Sequence, residues 1–375
     1  MIVFKLGYGR SKKVNILHMI FTIEKGGAET YLFNILDNMA KDINFFVICD
    51  HEGGNHGKVK EKCNNIDIIK MRSPFDFKAA KNIADYCKAN NIDIIQTHFL
   101  RENYIAVLSK IFNPKVKIIW TAHLMAENDK KIKFFNKLFS RFVDKIICVS
   151  HAVKNSLKKE GISSEKLKVI YNGVDTDYYK PIENCTLKKE LGLNKNTLVL
   201  TTVSRFNKEK GHSFLIEGVK ELKKHMEDFK LLLVGSGEEE RFIKQKVENY
   251  GLEESVLFLG YREDILEILS ITDIYVSPSK NEAISFSILE ALSSEKVVVA
   301  TKVGGVPEIF EKGDMGILIP YGEPKKLAEA IIYLHDNNQV YEKKEANSRK
   351  VIIENFSLDK MIKETLSLYK ELLNK

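Results

Sequence analysis

DIYVSPSKNEAISFSILEALSSEKVVVAT (273–301) holds one complete structural unit. A β-type run, DIYVS, ends in Ser-Pro-Ser; a helical stretch, ISFSILEALSS, follows; a second β run, KVVVAT, closes it. A strand, a crossover helix and a second strand imply parallel pairing, because a tight hairpin cannot return the chain in the same direction. Both β runs are continuously apolar rather than alternating, as in strands covered on both faces. Glu282, in the turn, and Glu290, in the helix, then stand near the C-terminal edge of the sheet, where open α/β sheets bind ligands. The competing reading is a helix that carries two surface acids.

The same unit recurs in both directions. Upstream, VNILHMI (14–20) leads into a helix, NFFVICD (44–50) and IDIIKM (66–71) come before the next, and IDIIQTHF (92–99), VKIIWTAH (116–123) and KIICVS (145–150) are each trailed by helical pattern. After VIYNGVD (169–175) the alternation pauses at DTDYYKPIENC (175–185). It restarts with NTLVLTTVSR (196–205), FKLLLVGSG (229–237) and VLFLGY (256–261), and runs through GILIP (316–320). Unbroken β/α alternation on both sides of a pause predicts an α/β protein of two Rossmann-like, doubly wound parallel-sheet domains facing across a cleft. The expected domains are 1–177 and 178–356. Two last helices, 338–354 and 358–373, flank a break at Asn355-Phe356-Ser357, and the final segment, 357–375, crosses back to the first domain.

Bulk properties agree with this division. At 375 residues, 44% hydrophobic and 29% charged, the chain can bury two cores. No apolar run approaches the roughly 18 residues of a spanning helix. MIVFKLGYGRSKK (1–13) has no signal-peptide pattern and reads as an extension before the first strand. Five scattered cysteines without CxxC spacing argue against a disulfide framework and a zinc site, so the expected location is cytoplasmic. Residues 1–177 hold 29 Lys and Arg against 19 Asp and Glu, a net of +10 within a total of +7. Such a basic first half calls for an anionic partner: nucleic acid, membrane surface or phosphorylated substrate.

Candidate residues gather at strand ends. Gly26-Gly27 sits between the first strand and its helix, where glycine lets backbone approach a ligand and a helix N-terminus offers N–H donors; a plain turn needs glycine too. Arg205 and Lys210, in VSRFNKEKGH, suit a diphosphate, with a solvated lysine-rich loop as the alternative. His98 and His123 end neighbouring strands and could meet a polar ligand. GSGEEE (235–240) lacks the third glycine of a phosphate loop and carries acids, so it reads as a turn. The acids of DTD (175–177) fall in the linker, and no metal is expected there.

DKKIKFFNKLFSRFVDK (129–145) is different in kind. At 100° per residue Lys130, Lys133, Lys137 and Arg141 form one stripe, and Ile132, Phe135, Leu138, Phe139 and Phe142 another, with Phe134 at the border. A basic face beside a Phe-rich face is the composition of an interfacial helix on anionic lipid, with Phe135 and Phe139 among its contacts. It is equally that of a domain helix packing its apolar side inward. A nucleic-acid reading is disfavoured, since the Phe residues follow a helical face rather than a stacking platform and no RNA-binding motif occurs.

In order along the chain, GGAE (26–29), TAH (121–123), NGVD (172–175), VSRFNKEKGH (203–212), the Glu282-to-Glu290 pair and TKVGGVPEI (301–309) resemble the motifs of the GT-B glycosyltransferases, family 4 of the retaining enzymes. The resemblance runs from about Val14 to the end. It implies a nucleotide-diphosphate sugar as donor, UDP-linked before GDP-linked, and transfer of a hexose or N-acetylhexosamine with retention. By that resemblance Glu290 holds the ribose hydroxyls and Glu282 meets the donor sugar. Backbone from Ala283 through Ile284 and Ser285 to Phe286 lies against sugar and phosphate. Arg205 and Lys210 clamp the diphosphate in place of a metal, Gly26 and Gly27 approach it, Tyr261 joins the donor site, and His123 lies near the transferred sugar. The family pattern Glu-Gly-Phe-Gly or Glu-Gly-Phe-Pro is here Glu282-Ala283-Ile284-Ser285, a departure that bears on which sugar is bound. The acceptor implied is a glycan or lipid-linked sugar in bacterial surface polysaccharide or glycolipid assembly, made peripherally at the inner face of the membrane. A soluble sugar, sugar phosphate or protein acceptor is the alternative.

Overall fold

A computed structural model of the chain describes residues 13–24, 26–39, 43–125, 128–183 and 185–374. The extension read in residues 1–13 lies, but for Lys13, outside them. Two compact units are present: one runs to Asn172 and is taken up again from Leu358, and the other is Gly173–Ser357. The expected boundary at 177/178 thus falls slightly downstream of the observed one.

The first unit is built on seven strands: β1 (Val14–Met19), β2 (Ile43–Cys49), β3 (Asn65–Ile68), β4 (Ile94–Thr97), β5 (Lys117–Ala122), β6 (Lys145–Cys148) and β7 (Leu167–Val169). They pair in the order β3-β2-β1-β4-β5-β6-β7, all parallel. The second unit holds β8 (Leu198–Val203), β9 (Phe229–Val234), β10 (Val256–Gly260), β11 (Ile274–Ser277), β12 (Val297–Thr301) and β13 (Gly316–Ile319). Their order, β10-β9-β8-β11-β12-β13, repeats the first six positions of the other sheet, again all parallel. Each sheet reverses its winding once, between β1 and β4 and between β8 and β11. The loops leaving those strand pairs diverge and leave a crevice for a ligand.

The apolar runs form central strands for the expected reason. Every residue of β12 is at most 1% exposed, so side chains pointing to either face meet helices. On one side Val297 and Val299 join Leu215, Val219, Leu327 and Ile331 in one core cluster. In the first unit a polar network lies inside the fold. Gln96 Nε2 donates to Thr121 Oγ1 (2.8 Å) and to the Tyr31 hydroxyl (3.3 Å), while the Tyr369 hydroxyl donates to Gln96 Oε1. That last bond fastens the C-terminal helix, Leu358–Leu373, to the first sheet.

The two chain crossings are tied to each other. Val174 N–H donates to Phe356 O (2.9 Å), and Val174 pairs with Ser357 in a single parallel bridge. The helix before it, Asn338–Phe356, continues two residues further than expected, and the break is confined to Ser357 with its extended backbone. Arg349 on this helix donates to the carbonyls of Thr176, Tyr179 and Ser293, pinning the linker to the second unit.

Candidate active site

In the second unit the switch point brings together the loop after β8 and the loop after β11. The first runs through a 3₁₀ turn, Lys208–Lys210, capped by Asn207, whose Oδ1 accepts the Lys210 N–H (3.1 Å). The turn stops at Gly211, where φ is +68°, and a Cβ there would lie 2.0 Å from Pro278 O. Only glycine fits, so the two loops touch backbone to backbone. Lys280 N–H donates across to Glu209 O (2.7 Å).

This contact sets Lys210 against Glu282. Lys210 Nζ lies 2.6 Å from Glu282 Oε2, and Ser279 Oγ donates to the same oxygen at 3.3 Å. Both side chains are partly buried, at 28% and 12% exposed, so the pair is screened less than a surface one. The Glu282 main chain is held from behind by the TKVGGVPE segment. Gly305 N–H donates to Glu282 O (3.0 Å), and a Cβ on Gly304 would stand 1.7 Å from that oxygen. The glycine pair after β12 therefore serves to seat Glu282.

Beyond Glu282, Ala283, Ile284 and Ser285 are buried and Phe286 half-buried, and the helix Phe286–Ser293 begins. Ser285 caps it, its Oγ accepting the Ile288 N–H (3.4 Å) and touching Ser287 Oγ (3.0 Å). The N-terminal N–H groups of this helix thus open beside Lys210 and Glu282, from the loops after β8 and β11, an arrangement suited to a phosphate. Glu290 lies one turn further in, and the Tyr179 hydroxyl donates to its carboxyl. Desolvation lifts the Glu290 carboxyl to about 7, against the lowering effect of that bond. Lys210, Ser279, Glu282, Ser285 and Ser287 line one small cavity with the buried Tyr275. Arg205 and Tyr261 are exposed at the ends of β8 and β10.

In the first unit Gly26 and Gly27 open the helix Gly27–Asn38, both exposed, and Gly26 is its N-cap with extended backbone. His98 and His123 come together as expected from their strand ends, His98 Nδ1 lying 3.0 Å from His123 Nε2. Both border a cavity of about 200 Å³, shared with Asn103, Trp120, Thr121 and Asn136. Asp175, in the linker, accepts the N–H groups of Asp177 and Tyr178 on its Oδ1, so this carboxylate shapes a turn.

The basic helix corrects one expectation. It spans Lys130–Phe139 and then tightens to a 3₁₀ turn, Ser140–Phe142, which breaks the 100° periodicity. Phe139 is buried, stacked on Tyr104 at 4.6 Å, and Phe135 is half-buried, edge-on to Phe75 at 5.0 Å. Phe139 packs into the unit and Phe135 packs partly against it, the inward-facing alternative for these two rings. The inward face also carries Asn136, which accepts from the Tyr104 hydroxyl (2.7 Å) and donates to Glu160 Oε2 (2.7 Å). Lys130, Lys133, Lys137 and Arg141 are exposed, and the apolar groups beside them in solvent are Phe134, Leu138 and Phe142. Among the described residues no helix is long and apolar enough to cross a membrane.

Two family descriptions match the chain, Glycosyltransferase Family 4 over residues 25–178 and Glycosyl transferases group 1 over 184–351. The chain belongs to the family 4 glycosyltransferases of GT-B fold. This glycosyltransferase is 27% identical to the N-acetyl-alpha-D-glucosaminyl L-malate synthase of Bacillus anthracis over 306 residues, 80% of each chain. It is 26% identical over 359 residues to the UDP-Gal:alpha-D-GlcNAc-diphosphoundecaprenol alpha-1,3-galactosyltransferase of Escherichia coli, covering 90% of this chain and 91% of that one. The crystal structure of Anabaena Alr3699/HepE in complex with UDP shares its fold at a TM-score of 0.85 and 23% identity, over 96% of this chain and 100% of that one.

Several parts of the glycosyltransferase site escape sequence reasoning. Ser279 and Tyr179 partner the two acids, yet a serine after a proline and a tyrosine in a linker carry no distinguishing signal. Gly304 and Gly305 were visible as a motif, but their task, seating the Glu282 carbonyl, shows only in three dimensions. His18, in the run VNILHMI, reads as core.

Proposed function

We propose that this glycosyltransferase moves a hexose or N-acetylhexosamine, with retention at the anomeric carbon, from a UDP-sugar to a glycan or lipid-linked acceptor in bacterial surface polysaccharide or glycolipid assembly. The observation that carries the reading is the Lys210–Glu282 pair at the switch point, beside the N-terminus of the helix that bears Glu290. On binding, the diphosphate takes over Lys210, with Arg205 and the helix N–H groups as further donors, and Glu282 is released to accept from sugar hydroxyls. Negative charge that develops on the departing UDP is met by fixed cations, which takes the place of a metal in this scheme. Glu290 accepts from the ribose. Two relatives support the donor and acceptor classes: the E. coli enzyme is named for UDP-galactose and a diphosphoundecaprenol-linked acceptor, and HepE was crystallised with UDP.

The acceptor side is read as peripheral on the cytoplasmic face of an anionic membrane. Exposed Phe134, Leu138 and Phe142 beside Lys130, Lys133, Lys137 and Arg141 support it, since apolar insertion and attraction to anionic headgroups add. The test is incubation with UDP-glucose, UDP-galactose and UDP-N-acetylglucosamine, a lipid-diphosphate-linked N-acetylglucosamine acceptor and EDTA, followed by NMR of the product. Release of UDP with an α-linked product is expected. A β-linked product, or activity abolished by EDTA and restored by a divalent ion, would contradict the scheme.

A further inference from the structure

Three imidazoles in the first unit form one hydrogen-bonded file. His18 Nδ1 lies 3.1 Å from His98 Nε2, and His98 Nδ1 lies 3.0 Å from His123 Nε2. Successive rings are stacked, with centroids 5.4 and 5.3 Å apart and planes 19° apart in both pairs. Tyr31 stands edge-on to His98 and His123 at 5.9 and 5.1 Å, which fixes both rings. The file begins in the interior, where His18 is fully buried, and ends at half-buried His123 on the sheet edge.

Each link holds one proton, so the rings cannot choose their tautomers independently. Burial keeps all three neutral: it lowers His18 and His123 to about 3 and, with its two neighbours, holds His98 well below the ordinary range. Three neutral rings carry three protons, two of them in the links. The third resides either on His18 Nε2 or on His123 Nδ1. His18 Nε2 is buried and, among the described residues, has no hydrogen-bond partner. A buried N–H without an acceptor is among the rarest of orphaned groups, and a bare ring nitrogen is tolerated better. The third proton therefore belongs at the outer end.

We propose that His18 and His98 are positioning residues which hold His123 as its Nδ1–H tautomer, so that His123 presents a fixed hydrogen-bond donor, and not a base, to a hydroxyl of the bound sugar. The polarity is set by the missing acceptor at buried His18 Nε2 and is read out two rings away. This inference rests on the proposed placement of His123 near the transferred sugar; the tautomer itself does not.

The test is ¹⁵N-histidine labelling of the whole protein and long-range ¹H–¹⁵N correlation near neutral pH. The expected result is a single neutral Nδ1–H pattern for His18, His98 and His123, assigned by substituting each in turn. A neutral Nε2–H pattern, a mixture or an imidazolium at His123 would overturn the proposal. In His98→Phe, which keeps a stacked ring and removes both links, His123 is expected to become a mixture of tautomers. UDP release from UDP-glucose should then fall about tenfold in kcat, with UDP affinity changed less than about twofold. An unchanged kcat in that variant, with UDP affinity intact, would remove the catalytic part of the inference. Absence of UDP binding by the wild-type protein would instead sink the donor reading and leave the tautomer result standing.

Discussion

The two sheets share a strand order through six positions and carry opposite chemistry at their switch points. At β1 and β4 the buried groups include a file of neutral imidazoles and the Gln96, Tyr31 and Thr121 network. Around β8 and β11 they are charged, with Lys210 paired to Glu282 and Glu290 one helical turn away. Topology makes a crevice at the same place in each sheet, and the loops decide what it can hold. A charged edge suits a nucleoside diphosphate; a neutral hydrogen-bonding edge suits hydroxyls. At the charged edge Gly211 and Gly304 let loops clamp main chain to main chain and so aim two charges.

The contrast breaks most sharply at Lys210. In Lys210→Ala the departing diphosphate loses its cation, and UDP-sugar turnover is expected to fall about a thousandfold. A smaller loss, below about tenfold, would mean that Lys210 serves only its ion pair with Glu282.

A second test concerns a carboxyl buried in the first unit. Glu102 is fully buried, both carboxylate oxygens lack partners among the described residues, and desolvation raises it to about 7. Because its folded value is raised, its favourable contribution is complete below the ordinary value of 4.5 and is lost as pH rises through 7. Glu102→Gln should thus gain stability relative to wild type on going from about pH 5 to about pH 8.5, by roughly 3 kcal/mol. Thermal unfolding at both values checks it, and a pH-independent difference would contradict the assignment.

Glu290 sharpens the charged side. Glu290→Ala is expected to weaken UDP binding about thirtyfold by calorimetry, as for lost hydrogen bonds to a charged acceptor. Its carboxyl ionises near 7, so part of the rise in UDP affinity between about pH 6 and pH 8 should vanish in Glu290→Gln. Equal affinity in wild type and Glu290→Ala would remove the ribose role.

The smallest effect expected lies on the basic helix. Phe134→Ser with Phe142→Ser should lower binding to anionic vesicles several-fold and leave the melting temperature within a few degrees, because both rings are exposed. Phe135→Ser with Phe139→Ser should instead destabilise the protein, since those rings pack on Phe75 and Tyr104. Vesicle binding unaffected by the exposed pair would withdraw the membrane reading.

These contrasts also mark what could be read in advance. Strands such as β12 were legible because burial on both faces forces an uninterrupted apolar run, and Glu282, Lys210 and Glu290 because strand–turn–helix spacing places them at a sheet edge. The basic helix was legible as amphipathic, but periodicity alone does not say which flank faces the core. Buried Asn136 decides it: its bonds to Tyr104 and Glu160 pull a polar position inward and turn Phe134 out. In the histidine file, His98 and His123 were legible as neighbours at strand ends, but His18 was not. His18 lies within β1, and only the register of β1 against β4 brings it to hydrogen-bonding distance of His98.

The central claim is the donor site of the second unit, and one thermal-shift series addresses it directly. Wild type, Lys210→Ala and Glu290→Ala would be melted with UDP, GDP and ADP in EDTA. A rise in wild type, largest for UDP and lost or much reduced in both variants, is expected, because a ligand that binds only the folded state stabilises it. No shift with any nucleotide at millimolar concentration, or the same shift in all three proteins, would contradict it.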